Sequence, residues 1–155
     1  MAVEQRQNDF KGHHAAHFDP CAFIADPELL RALAERSAPV VCDAERVLFS
    51  QGEAPRGLYI LQKGFVTLTM AARAPGLRGA EPAFSILSMP GSLLGLPGVA
   101  GNQPYTLTAT AHAGAQVRFI TRGDFGVLMQ AEPAISLKIL QVLAAEVRSA
   151  RRAIF

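Results

Sequence analysis

A mainly β domain with flanking helices is the fold class that the sequence predicts, and three observations carry the prediction. Two short apolar segments, Val47–Phe49 and Leu58–Leu61, are followed by a third that begins at Phe65. Apolar and polar residues alternate through the third segment with the period of two that is typical of a strand. Glycine, which enters positive φ without a Cβ clash, stands at each join, as Gly52, Gly57 and Gly64. By spacing alone, this stretch is a β-meander.

The remaining elements follow from capping residues and apolar runs. Asp26 can cap a helix that starts at Pro27 and runs to about Arg36. A last helix opens at Pro133 and continues to about Ile154. The segment Ala71–Pro82 is rich in Gly, Pro and charge, so it is predicted to be an exposed hairpin loop. Further strands are predicted at Val40–Cys42, Phe84–Leu87, Leu107–Ala111 and Gln116–Ile120, with a short helix at Phe125–Met129.

The spacing of the first strands is more specific than that of a meander. Phe49, Gly52, the run Leu58–Leu61, Gly64 and Val66 closely resemble the first signature of the cyclic-nucleotide-binding domain, the sensor domain of the Crp/Fnr regulators and of the catabolite activator protein. The resemblance extends from about residue 40 to the C-terminus. It implies a jelly-roll-type β-barrel with a long C-terminal helix, and a regulatory or ligand-sensing function rather than catalysis.

The resemblance also implies where a cyclic nucleotide would bind. In the family, a loop and short helix between two strands carry a glutamate that holds the ribose hydroxyl and an arginine that pairs with the phosphate. Here Gly95 aligns with the glycine before the glutamate, Leu96 stands at the glutamate position, and Tyr105 stands at the arginine position. The candidate ligand pocket consists of Leu94, Gly95, Leu96, Pro97, Gly98, Tyr105, Thr106 and Leu107.

These departures predict weak binding of cyclic AMP, or none. Removing one partner of a buried charged pair costs about 2–5 kcal/mol, and Leu96 cannot accept a hydrogen bond from the ribose. Pro97 also removes a backbone N–H from the start of the short helix. Two alternatives remain open. The apolar pocket, with the phenol of Tyr105 as polar handle, could bind an uncharged or hydrophobic ligand. Alternatively, side chains fill it, and the domain is a degenerate protein-interaction or dimerisation unit.

The last helix carries an apolar seam. Leu140, Leu143, Val147, Ala150 and Ile154 alternate at spacings of three and four, the pattern of a coiled coil. Ile135, Ile139 and Val142 lie on a neighbouring face that can pack on the barrel. In the family this helix is the dimer interface, so a homodimer is expected through Leu140, Leu143, Val147 and Ile154. The alternative is a single broad stripe that faces the core.

Length and composition limit the function classes. The chain has 155 residues, half of them hydrophobic, and a formal net charge of +2, which together indicate one domain without an extended nucleic-acid surface. No DNA binding by this chain alone is expected. The sequence has neither a membrane-length apolar run nor a secretory signal, and its two cysteines do not make a disulfide framework. A cytoplasmic protein that is not part of a membrane is therefore predicted.

No catalytic or cofactor motif was found. The sequence contains no plausible Ser/His/Asp set and no Walker loop, so neither an enzyme nor a cofactor is expected. Residues 1–18 are predicted to be a mobile arm, and residues 19–155 the domain, with the dimerisation helix at about 133–154. The arm region holds His13, His14 and His17, with Cys21 beyond, but no metal is expected there. Because Crp/Fnr regulators continue into a helix-turn-helix domain, this chain is either a stand-alone sensor-type domain or the sensor fragment of a transcriptional regulator.

Overall fold

The computed structural model describes residues 24–71 and 82–154, with side chains described over 24–71 and 85–149. The predicted N-terminal arm, its histidines His13, His14 and His17, and Cys21 lie outside the described residues. The elements in chain order are α1 (Pro27–Ala34), β1 (Ala38–Val40), β2 (Arg46–Phe49), β3 (Gly57–Lys63), β4 (Val66–Ala71), β5 (Pro82–Ser88), β6 (Leu93–Leu94), α2 (Leu96–Gly101), β7 (Thr108–Ala111), β8 (Gln116–Thr121), α3 (Arg122–Ala131) and α4 (Pro133–Ile154).

Two four-stranded antiparallel sheets form the body of the domain. Their strand orders are β1-β8-β3-β6 and β2-β7-β4-β5. Among the described residues no ladder joins one sheet to the other, so the predicted jelly-roll fold takes the form of two separate sheets rather than a closed barrel. The mainly β fold class with flanking helices is confirmed. Leu58, Ile60 and Leu61 on β3 are buried, as predicted for a strand covered on both faces.

Strand boundaries differ from the predictions at a few positions. The first strand ends at Val40, two residues before the predicted Cys42, which is nevertheless buried as a free thiol. The two-residue strand β6 was not predicted, because two leucines are too short a run to show a period. Strands β4 and β5 pair from Val66↔Ser88 to Ala71↔Pro82, so they form the predicted hairpin. The tip of that hairpin, residues 72–81, lies outside the described part of the chain.

Gly57 has a different role from the one predicted. Gly52 and Gly64 adopt positive φ, at +90° and +82°, as expected for residues that reverse the chain. Gly57 does not, and instead it opens β3 where the sheet is tightly packed. A Cβ there would collide with the Ile120 carbonyl oxygen and with the Phe119 ring. Glycine is required at this position by close approach rather than by a turn.

Helix α1 is tied to α4 at its N-terminus. The Asp26 carboxylate accepts a hydrogen bond from the Leu29 N–H at 2.8 Å, the predicted cap. The Lys138 ammonium of α4 lies 2.6 Å from Asp26 and 3.5 Å from Glu28. The hydrogen bond from Lys138 holds the pKa of Asp26 below its ordinary value. These contacts fix the N-terminal part of α4 beside α1.

Helix α4 presents two distinct faces. One is a buried stripe at spacings of three and four, which contains the three predicted core residues Ile135, Ile139 and Val142 and continues into Glu146 and Ser149. The other is exposed and apolar, and it includes Leu137, Leu140 and Val147. Leu143, predicted for the dimer seam, is half-buried and packs against the core. The side chains of Ala150 and Ile154 lie outside the described residues.

No single helix within residues 24–71 and 82–154 is long and apolar enough to span a membrane. Helix α3 and the part of α4 up to Ser149 reach that length and composition only together, and they bend by 118° where they meet.

Candidate functional site

A small cavity lies where the β6–α2 turn and the segment before β7 approach α4. Its volume is about 40 Å³. Most of its wall is apolar, contributed by strands of both sheets and by the α2 region. Among the described residues its lining consists of Phe49, Leu68, Leu93, Leu94, Gly95, Pro97, Gly98, Tyr105, Thr106, Leu107 and Glu146.

Seven of the eight predicted pocket residues line this cavity, and Leu96 does not. Leu96 is fully buried, so it belongs to the core rather than to the cavity wall. The residue at the position of the family's glutamate is thus a packing residue of α2. Pro97 follows it in the first turn of the same helix, where it contributes no N–H.

Tyr105 holds the segment before β7 against the connection between β2 and β3. Its hydroxyl donates to the Gly57 carbonyl at 2.6 Å and accepts from the Gly57 N–H at 3.1 Å. Its own N–H donates to the Glu53 carbonyl at 2.9 Å, and its carbonyl accepts from the Gly52 N–H at 2.8 Å. The phenol is therefore engaged by the backbone, and its hydroxyl proton is already donated to the Gly57 carbonyl.

The Tyr105 ring also occupies the space beneath the α2 turn. It stacks on Phe49 with ring centroids 4.1 Å apart and an interplanar angle of 21°. Gly95, the N-cap of α2 at φ +87°, lies against both rings. A Cβ at Gly95 would come within 2.7 Å of the tyrosine ring, so the glycine permits both the left-handed turn and the close contact.

Glu146 reaches the cavity from α4 and is its one charged lining residue among those described. It follows Val142 on the buried stripe of the helix, and only 9% of the residue is exposed. Burial raises the pKa of the Glu146 carboxyl from 4.5 to about 8. Sequence analysis missed this residue because it lies 39 positions beyond the last predicted lining residue, Leu107. The only signal for it was a carboxylate at an inward position of an otherwise apolar stripe.

No lysine or arginine lines the cavity among the described residues. Arg122, which begins α3, instead bonds through its guanidinium to the Asn102 side chain at the far end of α2. An anion such as a phosphate would meet neither a cation nor a free phenol here. The described residues also include no group of three histidine, cysteine or acidic side chains that could hold a metal ion.

Residues 39–132 match the family model described as the cyclic nucleotide-binding domain, which is more than half of the chain. The chain belongs to the cyclic nucleotide-binding domain family. Domains of this family are regulatory and typically non-enzymatic. The search of curated proteins gave no match.

Solved structures share the fold of this cyclic nucleotide-binding domain. The Thermus thermophilus catabolite activator protein superposes with a TM-score of 0.69 at 20% identity, over 86% of this chain and 60% of that one. The N-terminal domain of a transcriptional regulator from Streptomyces coelicolor superposes with a TM-score of 0.61 at 20% identity, over 85% of this chain and 91% of that one. The sensor domain of the transcriptional regulator DNR from Pseudomonas aeruginosa superposes with a TM-score of 0.56 at 20% identity, over 77% of this chain and 80% of that one. The chain thus spans only 60% of the Thermus protein, and at these identities the likeness concerns the fold.

For a cyclic nucleotide-binding domain, the cavity is small. Pockets that enclose a drug-sized ligand measure about 300–1,000 Å³. A single water needs about 10–15 Å³ on the scale on which this cavity measures about 40 Å³. The space therefore admits about three waters or a ligand of a few heavy atoms. A base, a ribose and a cyclic phosphate do not fit in it without rearrangement of α2, Tyr105 or α4.

Proposed function

We propose that this domain is a cytoplasmic regulatory module of the Crp/Fnr type that senses a small ligand other than a cyclic nucleotide. The observation that carries the proposal is the cavity of about 40 Å³, lined by described residues that include no cation and bordered by Glu146 of α4. A cyclic phosphate would have to be buried without a positive partner, which is strongly unfavourable. A small ligand would instead contact the terminal helix directly.

Helix α4 is the element through which occupancy would be transmitted. One face of the helix borders the cavity through Glu146, whereas the opposite face exposes Leu137, Leu140 and Val147. We propose that the exposed face pairs with that of a second copy, so that the chain is a homodimer. A ligand that changes the position of α4 would then also change the dimer, because both surfaces belong to one rigid helix. The module would act alone or as the sensor part of a longer transcriptional regulator.

Calorimetric titration with cyclic AMP and cyclic GMP tests the exclusion of nucleotides. We expect no saturable heat at ligand concentrations up to about the millimolar range, since the charged contacts that would stabilise the phosphate are absent. The control is the Glu146→Gln variant, which replaces the ionisable carboxyl by a neutral amide at nearly constant volume. It should also fail to bind, because Tyr105 and α2 still fill the site. Low-micromolar binding by either protein would contradict the proposal.

A second candidate function is a protein-interaction or dimerisation unit without a ligand. The exposed apolar face of α4 and the small size of the cavity favour it. The two functions differ in what the cavity does. If a fragment screen by NMR finds no molecule that shifts the amide signals of Gly95, Gly98 or Thr106, and the chain still dimerises, the interaction unit is the better description.

A further inference from the structure

Glu146 is a buried carboxyl without a protein partner in the described part of the chain. Its exposed fraction is 9%, and it occupies a position of the α4 stripe where the preceding inward residues are isoleucine and valine. Among the described residues no hydrogen bond or ion pair to its carboxyl oxygens is formed. A buried carboxyl is normally paired or hydrogen-bonded, because transfer out of water is costly. Its position on the cavity wall makes the carboxyl accessible to a partner from outside the described part of the chain.

The described elements that line the cavity place no cationic side chain opposite Glu146. Strands β2, β4 and β6 contribute the apolar side chains of Phe49, Leu68 and Leu93. The α2 region contributes Pro97 and backbone, and the segment before β7 contributes Tyr105, Thr106 and Leu107. Tyr105 is the one other titratable group in this described lining, and its hydroxyl is engaged with Gly57 in both directions. On α4 itself the nearest charged residue of the described chain is Arg148, which is exposed.

We propose that the cavity binds a small organic cation of the amine or amidine class, with the Glu146 carboxylate as its counter-ion. The inference rests on the proposed function and names the ligand class of that site. The apolar walls suit methyl or methylene groups, and the single acidic group suits an N–H donor that carries positive charge. The charge of the site is thereby opposite to the one that a phosphate requires. The volume limits the ligand to about four heavy atoms.

This pairing couples ligand binding to the release of a proton. Burial keeps Glu146 protonated at neutral pH, since its pKa lies at about 8. A cation stabilises the ionised carboxylate, so binding removes the proton from the carboxyl oxygen to solvent. Below a pH of about 8, apparent affinity for the cation should therefore rise by up to about tenfold per pH unit.

Three probes of nearly the same shape test the ligand class. Acetamidinium is a cation, acetamide is neutral and acetate is an anion, and all consist of a methyl group on a planar head. Each is titrated into the full chain while the backbone amide signals of Gly95, Gly98, Thr106 and Glu146 are followed by NMR. We expect acetamidinium alone to shift these signals, with a dissociation constant in the millimolar range because so small a ligand makes few contacts. The response should strengthen between about pH 6 and about pH 7.5.

Three variants locate the effect at Glu146. Glu146→Gln keeps the side-chain size and should lose acetamidinium binding, whereas Glu45→Gln, which removes an exposed carboxylate away from the cavity, should keep it. Glu146→Asp keeps the charge and should weaken binding without abolishing it. This third variant also keeps the test decisive if Glu146→Gln fails to fold.

Each contrary outcome has a separate meaning. Equal binding of acetamide, or binding that survives in Glu146→Gln, overturns the cation class but leaves a ligand-sensing cavity. If none of the three probes shifts the cavity amides, the inference is wrong. The proposed function is tested independently by the nucleotide titration and the fragment screen. Raising the pH without a probe itself ionises Glu146, so the probe-free protein at the same pH is the reference for every titration.

Discussion

Tyr105 aligns with an arginine that binds the ligand in the family, but its own contacts are within the protein. It stands where the family carries a phosphate-binding arginine, but its hydroxyl bonds the Gly57 backbone and its ring stacks on Phe49. Leu96, at the position of the family's glutamate, is fully buried. Introducing glutamate and arginine at these two positions would therefore bury new charges and remove core contacts. We therefore expect that exchanging these two side chains alone would not restore a full nucleotide site.

The structural role of the Tyr105 hydroxyl leads to a stability prediction. Tyr105→Phe keeps the ring but leaves the Gly57 carbonyl and N–H without their shared partner in a buried position. We expect the free energy of unfolding to fall by about 1–3 kcal/mol, measured by urea denaturation. The matched control is Tyr59→Phe, which removes a single hydroxyl contact to the Leu48 carbonyl at 3.1 Å. Equal losses in the two variants would contradict this account of Tyr105.

The buried carboxyl of Glu146 leads to a pH prediction. Its pKa is about 8 in the folded chain and 4.5 in the unfolded reference, so the native state binds more protons than the unfolded state between these values. The free energy of unfolding must therefore fall as pH rises through this window, with a slope of up to about 1.4 kcal/mol per pH unit. Above a pH of about 8 the loss stays constant.

The difference between wild type and Glu146→Gln isolates this contribution. Urea unfolding at about pH 6, pH 7 and pH 8 should show the variant gaining stability relative to wild type as pH rises. Glu45→Gln, the variant of an exposed carboxylate, should run parallel to wild type over the same range. A wild type whose stability relative to Glu146→Gln does not change with pH would mean that this carboxyl is solvated in the folded protein.

At the scale of the elements, the two faces of α4 have different environments: one is buried and the other is exposed. The buried stripe packs against α1 and α3 and reaches the cavity through Glu146. Lys138 fastens the helix to α1 through Asp26. The exposed face carries large apolar residues that the described chain leaves uncovered. Coverage of this face by a second copy would remove apolar surface from water, which is the principal driving force of association.

Substitution on the exposed face tests the homodimer. We expect wild type to be dimeric at micromolar concentration by light scattering, and Leu140→Asp with Val147→Asp to be monomeric, because a charge would be buried in an apolar seam. These residues are 60% and 54% exposed in the single chain, so the substitutions should leave the fold intact. Leu143→Asp is a poorer test since Leu143 packs against the core.

The control for this experiment is Val41→Asp, which introduces the same charge at a site that is 64% exposed and lies in the loop after β1. It should remain dimeric. A wild type that is already monomeric at micromolar concentration would contradict the proposed dimer, and a double variant that stays dimeric would move the interface to another surface.

At the scale of the whole molecule, charge argues against direct DNA binding. A formal net charge of +2 on 155 residues gives little electrostatic attraction for phosphates. We expect no discrete complex with duplex DNA in a band-shift experiment at about 200 mM salt with competitor DNA. The same experiment at low salt serves as the control, because nonspecific complexes disappear as salt rises. A complex that survives both salt and competitor would contradict the prediction.

Local patterns in the sequence were sufficient for most of the fold. Period-two alternation in β4, the Asp26 cap of α1 and the apolar stripe Ile135, Ile139 and Val142 each depend on residues close together in the chain, so spacing and capping rules apply to them directly. The glycine and apolar spacing also led to the right family. The predicted pocket came from that resemblance; seven of its eight residues line the cavity, and Leu96 is buried in the core.

The chemistry of the pocket depended on contacts between distant parts of the chain. Tyr105 and Gly57 are 48 positions apart, and no local rule indicates that the phenol would bond that backbone rather than a ligand. Glu146 meets the cavity only because α4 packs back on α1 and α3, and its raised pKa arises from the burial that this packing produces. Desolvation and hydrogen-bond pairing are properties of the packed molecule, which is why the polarity of this site could not be read from the order of its residues.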